Sequence, residues 1–220
     1  VYYAPLSFVD DQSRRIQFGW LTEERQEAAL RLAGWAGVMS LPRCLTLSSD
    51  RTLLVQPIPE LERLHAEQIC DFKGEIVSEA QPICLKSPFV NAEIRASLQS
   101  TGSGKIKFTL AKSFDALRLT LLEYDFAAGI LSLDTRAANS DPLCTGNLKQ
   151  APLPLAEGEK LDLQIFVDGS VIEVFANKTV VISGRYYPDQ ITKDQLYISS
   201  SGDAPVMGEL KAWKMKSCFL

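Results

Sequence analysis

Histidine is almost missing from this chain, with His65 the only one among 220 residues. A Ser-His-acid triad would have to use it as its base, and no G-x-S-x-G elbow exposes a serine, so the sequence argues against that chemistry. His65 sits between Glu62 and Glu67, where an exposed or ion-paired ring is expected. Cysteine is scarce too: Cys44, Cys70, Cys84, Cys144 and Cys218 include no CxxC pair. With a single histidine this spacing supports no zinc set, and no metal is expected. Five scattered cysteines do not make a disulfide-dense scaffold, and their odd number leaves at least one without an intrachain partner.

Positive charge has no excess. There are 23 Lys and Arg against 27 Asp and Glu, a formal charge of −4, so a nucleic acid is not an expected partner. Long hydrophobic runs are absent as well. The most apolar stretch, Leu161 to Phe175, is broken by Asp162, Asp168 and Glu173, well short of the roughly 20 apolar residues a spanning helix needs, and no membrane partner is expected. The first residues, Val1 to Phe8, are apolar and aromatic with no basic region ahead of them. They read as the inside of a strand, so the chain is expected to begin mid-protein.

What is present is the composition of a globular chain with a core, 46% hydrophobic and 23% charged. From about residue 74 the sequence delivers short period-two runs between turn signals, the rhythm of antiparallel β. Ile106 to Leu110 alternates cleanly and Leu117 to Leu122 less so, while Leu161, Leu163, Ile165 and Val167 share one face. Asp168-Gly169 predicts a tight type I′ hairpin into Val171–Phe175, and Asn177-Lys178 predicts a second turn into Thr179–Ile182. Many short strands without regular helices between them predict two packed sheets. In the first 60 residues, Val1–Val9 and Arg15–Trp20 read as a hairpin around Asp10–Ser13. Thr22–Leu32 reads as a short helix with Thr22 as N-cap and Gly34 as its end. Glu60–Leu64 reads as a helical turn in a Pro-rich connector.

Several motifs invite chemistry. Thr101-Gly102-Ser103-Gly104-Lys105 is suggestive of a phosphate loop, but Gln99 replaces the first glycine and Ile106 the magnesium-binding hydroxyl, so a hairpin turn is expected. Asp168 and Glu173 could be paired as glycosidase carboxylates; a turn alone explains Asp168. Glu173 alternates with Val171 and Phe175 on an apolar face, where an unpaired carboxylate is costly, and an ion pair with Arg185 across the next strand is expected. Asn177-Lys178-Thr179 matches the N-glycosylation acceptor pattern, although a tight turn is sufficient reason for an asparagine.

Two segments together resemble glycoside hydrolase family 32, the invertases, levanases and inulinases: Gly34-Trp35-Ala36-Gly37-Val38-Met39-Ser40-Leu41-Pro42-Arg43, and Leu161 to Asn177 running on to Ser183-Gly184-Arg185-Tyr186-Tyr187-Pro188. Tyr3-Ala4, Arg15 to Trp20 and the connector Pro57 to Leu64 follow the family's order. The resemblance implies an all-β fold, a five-bladed β-propeller holding the active site followed by a C-terminal β-sandwich of two antiparallel sheets. On that reading residues 1–48 are the final strands of the propeller, 49–73 an interdomain linker and 74–220 the sandwich.

The resemblance also implies retaining hydrolysis of terminal β-D-fructofuranosides of the sucrose, levan or inulin class, without a cofactor. The family's nucleophile, acid/base and transition-state-stabilising carboxylates stand in W-x-N-D-P-N-G-like, E-C-like and R-D-P-like motifs. None occurs here: Arg43 precedes Cys44, Glu60 precedes Leu61, and Asp141-Pro142 has no arginine before it. This chain is therefore expected to hold no catalytic residue. Trp20 alone matches a pocket feature of the family, near its sugar-binding funnel. The expected partner is a fructose-containing saccharide reached through a propeller outside this chain, and the open strand set at Val1 makes pairing with a separate N-terminal chain physically reasonable. An exposed apolar patch is expected around the N-terminal strands. The competing class is a lectin-like sandwich with Tyr186, Tyr187, Tyr197 and Trp213 as platforms.

Overall fold

Tyr2–Val9 (β1) and Arg15–Leu21 (β2) pair antiparallel around a turn in which Asp10 Oδ1 accepts the N–H groups of Gln12 and Arg14. The structure, a computed structural model, describes residues 2–76, 83–86, 91–113, 118–139, 141–187, 192–193, 195–202 and 204–218. Val1, Leu117 and Pro188, which bound stretches named above, lie outside the described residues, as does the Cys84 side chain.

The short helix α1 spans Glu27–Ala33, so Thr22 is not its N-cap. Gln26 takes that place because the preceding residues are held extended by the second domain: Arg25 bridges Cys144, the Gln26 N–H donates to Leu143 O and the Thr145 N–H to Glu24 O. Gly34 ends the helix in the left-handed conformation (φ 73°) with its N–H on Leu30 O, a position glycine takes without steric cost. Val38–Met39 (β3) and Arg43–Leu47 (β4) then add to β2, and Leu53–Pro57 (β5) pairs with β4, completing a first sheet ordered β1-β2-β4-β5.

A 3-10 turn over Pro59–Leu64 follows, and His65–Ile76 (β6) already belongs to another sheet. The expected linker over 49–73 is thus too wide. Backbone groups of 53–57 and 65–73 are consumed by strand pairing, which leaves about residues 58–64 as the connection.

The remaining strands are β7 Ile83–Lys86, β8 Asn91–Ser100, β9 Gly104–Ser113, β10 Leu119–Asp125, β11 Ile130–Asp134, β12 Leu148–Pro152, β13 Leu161–Asp168, β14 Val171–Ala176, β15 Val180–Arg185, β16 Thr192–Lys193, β17 Gln195–Gly202 and β18 Val206–Met215. They form two sheets, β15-β14-β13-β8-β18-β6 and β12-β11-β10-β9-β17-β7 with β16 beside β9. Between them lies a continuous apolar core that includes Ile94, Leu98, Phe108, Leu122, Leu133 and Ile165. This is the expected sandwich of two antiparallel sheets.

Turn chemistry departs from expectation at one point. Asp168 is still a strand residue, opposite Val171, and the loop is Gly169-Ser170 with positive φ at Gly169 alone (54°), the pattern of a type II′ rather than a type I′ turn. The I′ pattern falls instead on Asn177-Lys178, both with positive φ (44° and 61°). The hairpin turn expected over Thr101–Lys105 is not one: Thr101–Ser103 is a bend that carries the chain from β8 in one sheet to β9 in the other, because β8 pairs with β13 and β18 while β9 pairs with β10 and β17, and Lys105 beyond it pairs with Glu123 and Asp125.

Strand β14 is buried at every position although it sits in a two-layer sandwich. Its alternation cannot show a solvent side because one face meets the core and the other meets the first sheet. The outward Phe175 packs edge-on against Phe166 (6.1 Å between centroids) and under the Arg43 guanidinium. On the first sheet the reverse holds: Tyr3, Leu6, Phe8 and Val9 of β1 are exposed. The patch expected around the N-terminal strands is present.

Candidate functional site

Charged side chains that belong to neither core meet at the seam between the first sheet and the sandwich. Glu173 is 1% exposed, as its place in an apolar alternation requires it to be paired. Its partner is not Arg185 but Arg43: the Arg43 guanidinium donates to Glu173 Oε2 at 2.5 Å and to the Ser183 hydroxyl at 2.9 Å, while the Leu41 N–H donates to Glu173 Oε1 at 2.6 Å. Tyr2 and Phe175 bracket the same guanidinium, their ring centroids 3.9 and 5.6 Å from it. Arg185 is reached across the seam by Glu23, at 2.6 Å. Arg185 lies diagonal to Glu173 on the shared hairpin, but the first sheet supplies each of them with its own partner of opposite charge.

Glu23 is saturated. Its Oε1 accepts from Arg185 and from the Gly37 N–H (2.9 Å), and its Oε2 accepts from Arg25 Nε (2.8 Å) and from the Tyr187 hydroxyl (2.6 Å). Burial pushes this carboxyl up, but the Tyr187 hydroxyl, the Gly37 N–H and the two guanidiniums outweigh it and hold it below the ordinary carboxylate value. The Tyr187 phenol is pushed up to about 12, by burial first and then by donating to Glu23. Neighbouring Glu24 takes the Lys149 ammonium (2.6 Å) and the Asn147 amide (2.8 Å). Residues 24–26 are thereby laced to the 143–149 segment of the sandwich.

A carboxyl with a depressed folded-state value contributes stability above its unfolded value and loses it as pH falls through the folded one. Melting temperature is therefore expected to decline below about pH 4.5, and the acid-induced part of that decline to be smaller in Glu23→Gln. Thermal unfolding across pH 3 to 7 measures both.

A second buried carboxylate, Glu93 (0% exposed), lies on the outer face of the same sheet. His65 Nε2 stands 2.7 Å from its Oε2, Gln164 Nε2 donates to its Oε1 at 2.7 Å, and Arg95 Nε donates there too. The His65 ring stacks on Trp213 at 4.4 Å, which covers that candidate platform. Tyr186 is buried, and Tyr187 is committed to Glu23, so neither forms an open sugar platform; Tyr197 is half-buried in β17.

Trp20 is 43% exposed near the end of β2, edge-on to Tyr3 (6.3 Å). Asp168 and Glu173 are diagonal in the β13–β14 register, Asp168 opposite Val171 and Glu173 opposite Phe166, but their settings differ: Asp168 is exposed, and Glu173 is buried and held by Arg43. The Asn177 amide is engaged at both ends, accepting from the Asp162 N–H and donating to Glu159 and Lys160 O. Cys44, Cys70, Cys144 and Cys218 are free thiols. Among the described residues no three His, Cys, Asp or Glu cluster as a metal set, and no helix is long and apolar enough to cross a membrane. Arg43 and Glu23 were not singled out in the sequence as seam residues. Arg43 stands in a recognisable motif, but nothing local separates its buried charge from an exposed one.

A first antiparallel sheet is thus sealed by buried ion pairs to the outer face of a two-sheet sandwich. Residues 60–214 match the model for glycosyl hydrolases family 32 C terminal, and residues 1–57 the model for the glycosyl hydrolases family 32 N-terminal domain. The chain belongs to glycosyl hydrolase family 32. An acid beta-fructofuranosidase of Phaseolus vulgaris is 30% identical over 264 residues, a match that covers all of this chain and 40% of that protein. The chain thus spans about two fifths of this curated relative's length. Crystal structures share the fold: fructan 1-exohydrolase IIa of Cichorium intybus in complex with 1-kestose has a TM-score of 0.87 at 20% identity, covering 98% of this chain and 48% of that one. Exo-inulinase of Aspergillus awamori has a TM-score of 0.80 at 20% identity, covering 98% and 43%. The two segments that carried the resemblance, Gly34–Arg43 and Leu161–Tyr187, are the two sides of the seam.

Proposed function

We propose that this chain is the C-terminal portion of a β-fructosidase that hydrolyses terminal β-D-fructofuranosides of the sucrose, levan or inulin class, that it is noncatalytic alone, and that its sandwich supports the propeller. The observation that carries this reading is the seam: Arg43–Glu173 and Glu23–Arg185, both buried, tie the first sheet to the sandwich. A sheet locked in this way gives neighbouring blades a fixed edge to pack against, and the apolar side chains of β1 are exposed where such a neighbour would lie. A separate N-terminal chain would complement the same face. Trp20 is read as a sugar-facing aromatic, since its partly open indole offers an apolar plate to a ring. The lack of the three carboxylate motifs carries the noncatalytic part.

Incubated with sucrose, levan or inulin, the purified chain is expected to release no fructose above a buffer blank. Release would refute the noncatalytic reading. A second reading, a sandwich that holds saccharide by itself, draws on a cleft of about 500 Å³ between β5 and the sandwich, walled by Arg95, Asp162, Gln164, Phe175 and Lys178. Electrophoresis through fructan-containing gels separates the two, because retarded mobility would favour the binding module.

A further inference from the structure

The sandwich reaches the Trp20 side of the first sheet through one carboxylate. Arg185 is 0% exposed, so its guanidinium has no room to swing away, and it donates to the same Glu23 oxygen that accepts the Gly37 N–H. Tyr187 grips the other oxygen and also accepts the Glu24 N–H at 2.9 Å. The guanidiniums of Arg25 and Arg185 lie 4.6 and 5.7 Å from the Trp35 ring centroid, which fixes the start of the loop that carries Gly37.

Gly37 in turn lies directly against Trp20. It has positive φ (74°), and a Cβ built on it would stand 1.7 Å from Trp20 Nε1, so the indole occupies the space a side chain would need. Tyr3 and Met39 are the Trp20 partners on the flanking strands. Trp20 thus takes its position from the Gly37 backbone, and that backbone is held by a carboxylate clamped from the sandwich.

We infer that Arg185 and Tyr187 of the sandwich are positioning residues for Trp20, acting through Glu23 and Gly37. This rests on the reading of Trp20 as sugar-facing and deepens it: the sandwich sets the orientation of a saccharide-contacting aromatic that it does not itself touch. A sandwich that only props up the fold would hold the sheet anywhere along the seam. Here the clamp closes on the loop that backs the indole.

The test uses the 220-residue chain labelled with 5-fluorotryptophan, whose Trp20, Trp35 and Trp213 resonances are assigned with Trp→Phe variants. Arg185→Met is expected to shift and broaden the Trp20 line while the Trp213 line, in the far part of the sandwich, stays in place. Tyr187→Phe removes the hydroxyl that donates to Glu23 and accepts the Glu24 N–H without stranding a charge, and a smaller displacement of the Trp20 line in the same direction is expected. Arg185→Lys, which keeps the charge but not the fork, should fall between Arg185→Met and the parent. A Trp20 line unmoved in Tyr187→Phe and in folded Arg185→Met, with Trp35 alone perturbed, overturns the inference. If Arg185→Met does not fold, Tyr187→Phe decides. Fructose release by the chain would overturn the noncatalytic reading and leave this result standing.

Discussion

Replacing Arg43 with methionine is expected to destabilise the chain by about 3–5 kcal/mol, because it leaves a buried carboxylate without its counter-ion. Glu173 would keep only the Leu41 N–H and the Ser183 hydroxyl, too little to replace the lost solvation of a side chain 1% exposed. For a chain of this length that loss corresponds to a fall in melting temperature of roughly 10 °C. The double variant Arg43→Met/Glu173→Met should recover much of it, since a seam with neither charge has nothing unpaired. The exposed pair Arg31–Glu27 on α1 supplies the control: its side chains are 80% and 76% exposed, and Arg31→Ala should cost under about 0.5 kcal/mol. Differential scanning calorimetry compares them. Equal losses for Arg43→Met and Arg31→Ala would mean that the seam is not held by this charge pair.

Phe108→Ala is expected to remove about 3–5 kcal/mol by emptying the centre of the sandwich. Phe108 is fully buried on β9, opposite Leu122 of β10 and Ile198 of β17, which are themselves inaccessible to solvent and can collapse only partly into the space. Phe8 is the same residue type in a strand of the first sheet but is half exposed. Phe8→Ala should change stability by no more than about 0.5 kcal/mol in this chain. Urea midpoints read the contrast directly, provided the slope is unchanged. A similar loss at both positions would show that the β1 face is covered in solution.

Which face of a strand is apolar can be read from spacing. The alternations at Ile106–Leu110 and Leu161–Val167 correctly place their side chains, because neighbours two apart must share a face. The same local rule puts Glu173 on an apolar face and so forecasts that it needs a cation. It does not forecast which one. Arg185 lies nearby in sequence, and Arg43 is 130 residues away, so only the docking of the first sheet could decide between them. The helix start failed for a related reason. Thr22 with the acids after it has the chemistry of a cap, but the 143–149 loop competes for the backbone of residues 24–26 and holds it extended.

By itself the sequence determined the strand rhythm, the sandwich core, the presence of a turn at Asn177-Lys178 and the resemblance to family 32. Each is a property of residues close together in the chain, or of a motif read whole. The tertiary structure alone decided that the connection shrinks to about 58–64, that Glu93 is buried beside His65, and that Glu23 and Glu173 exchange partners with the opposite domain. A buried charge chooses its counter-ion by distance in space, and no local pattern records which distant residue the packing of two domains will bring within 3 Å.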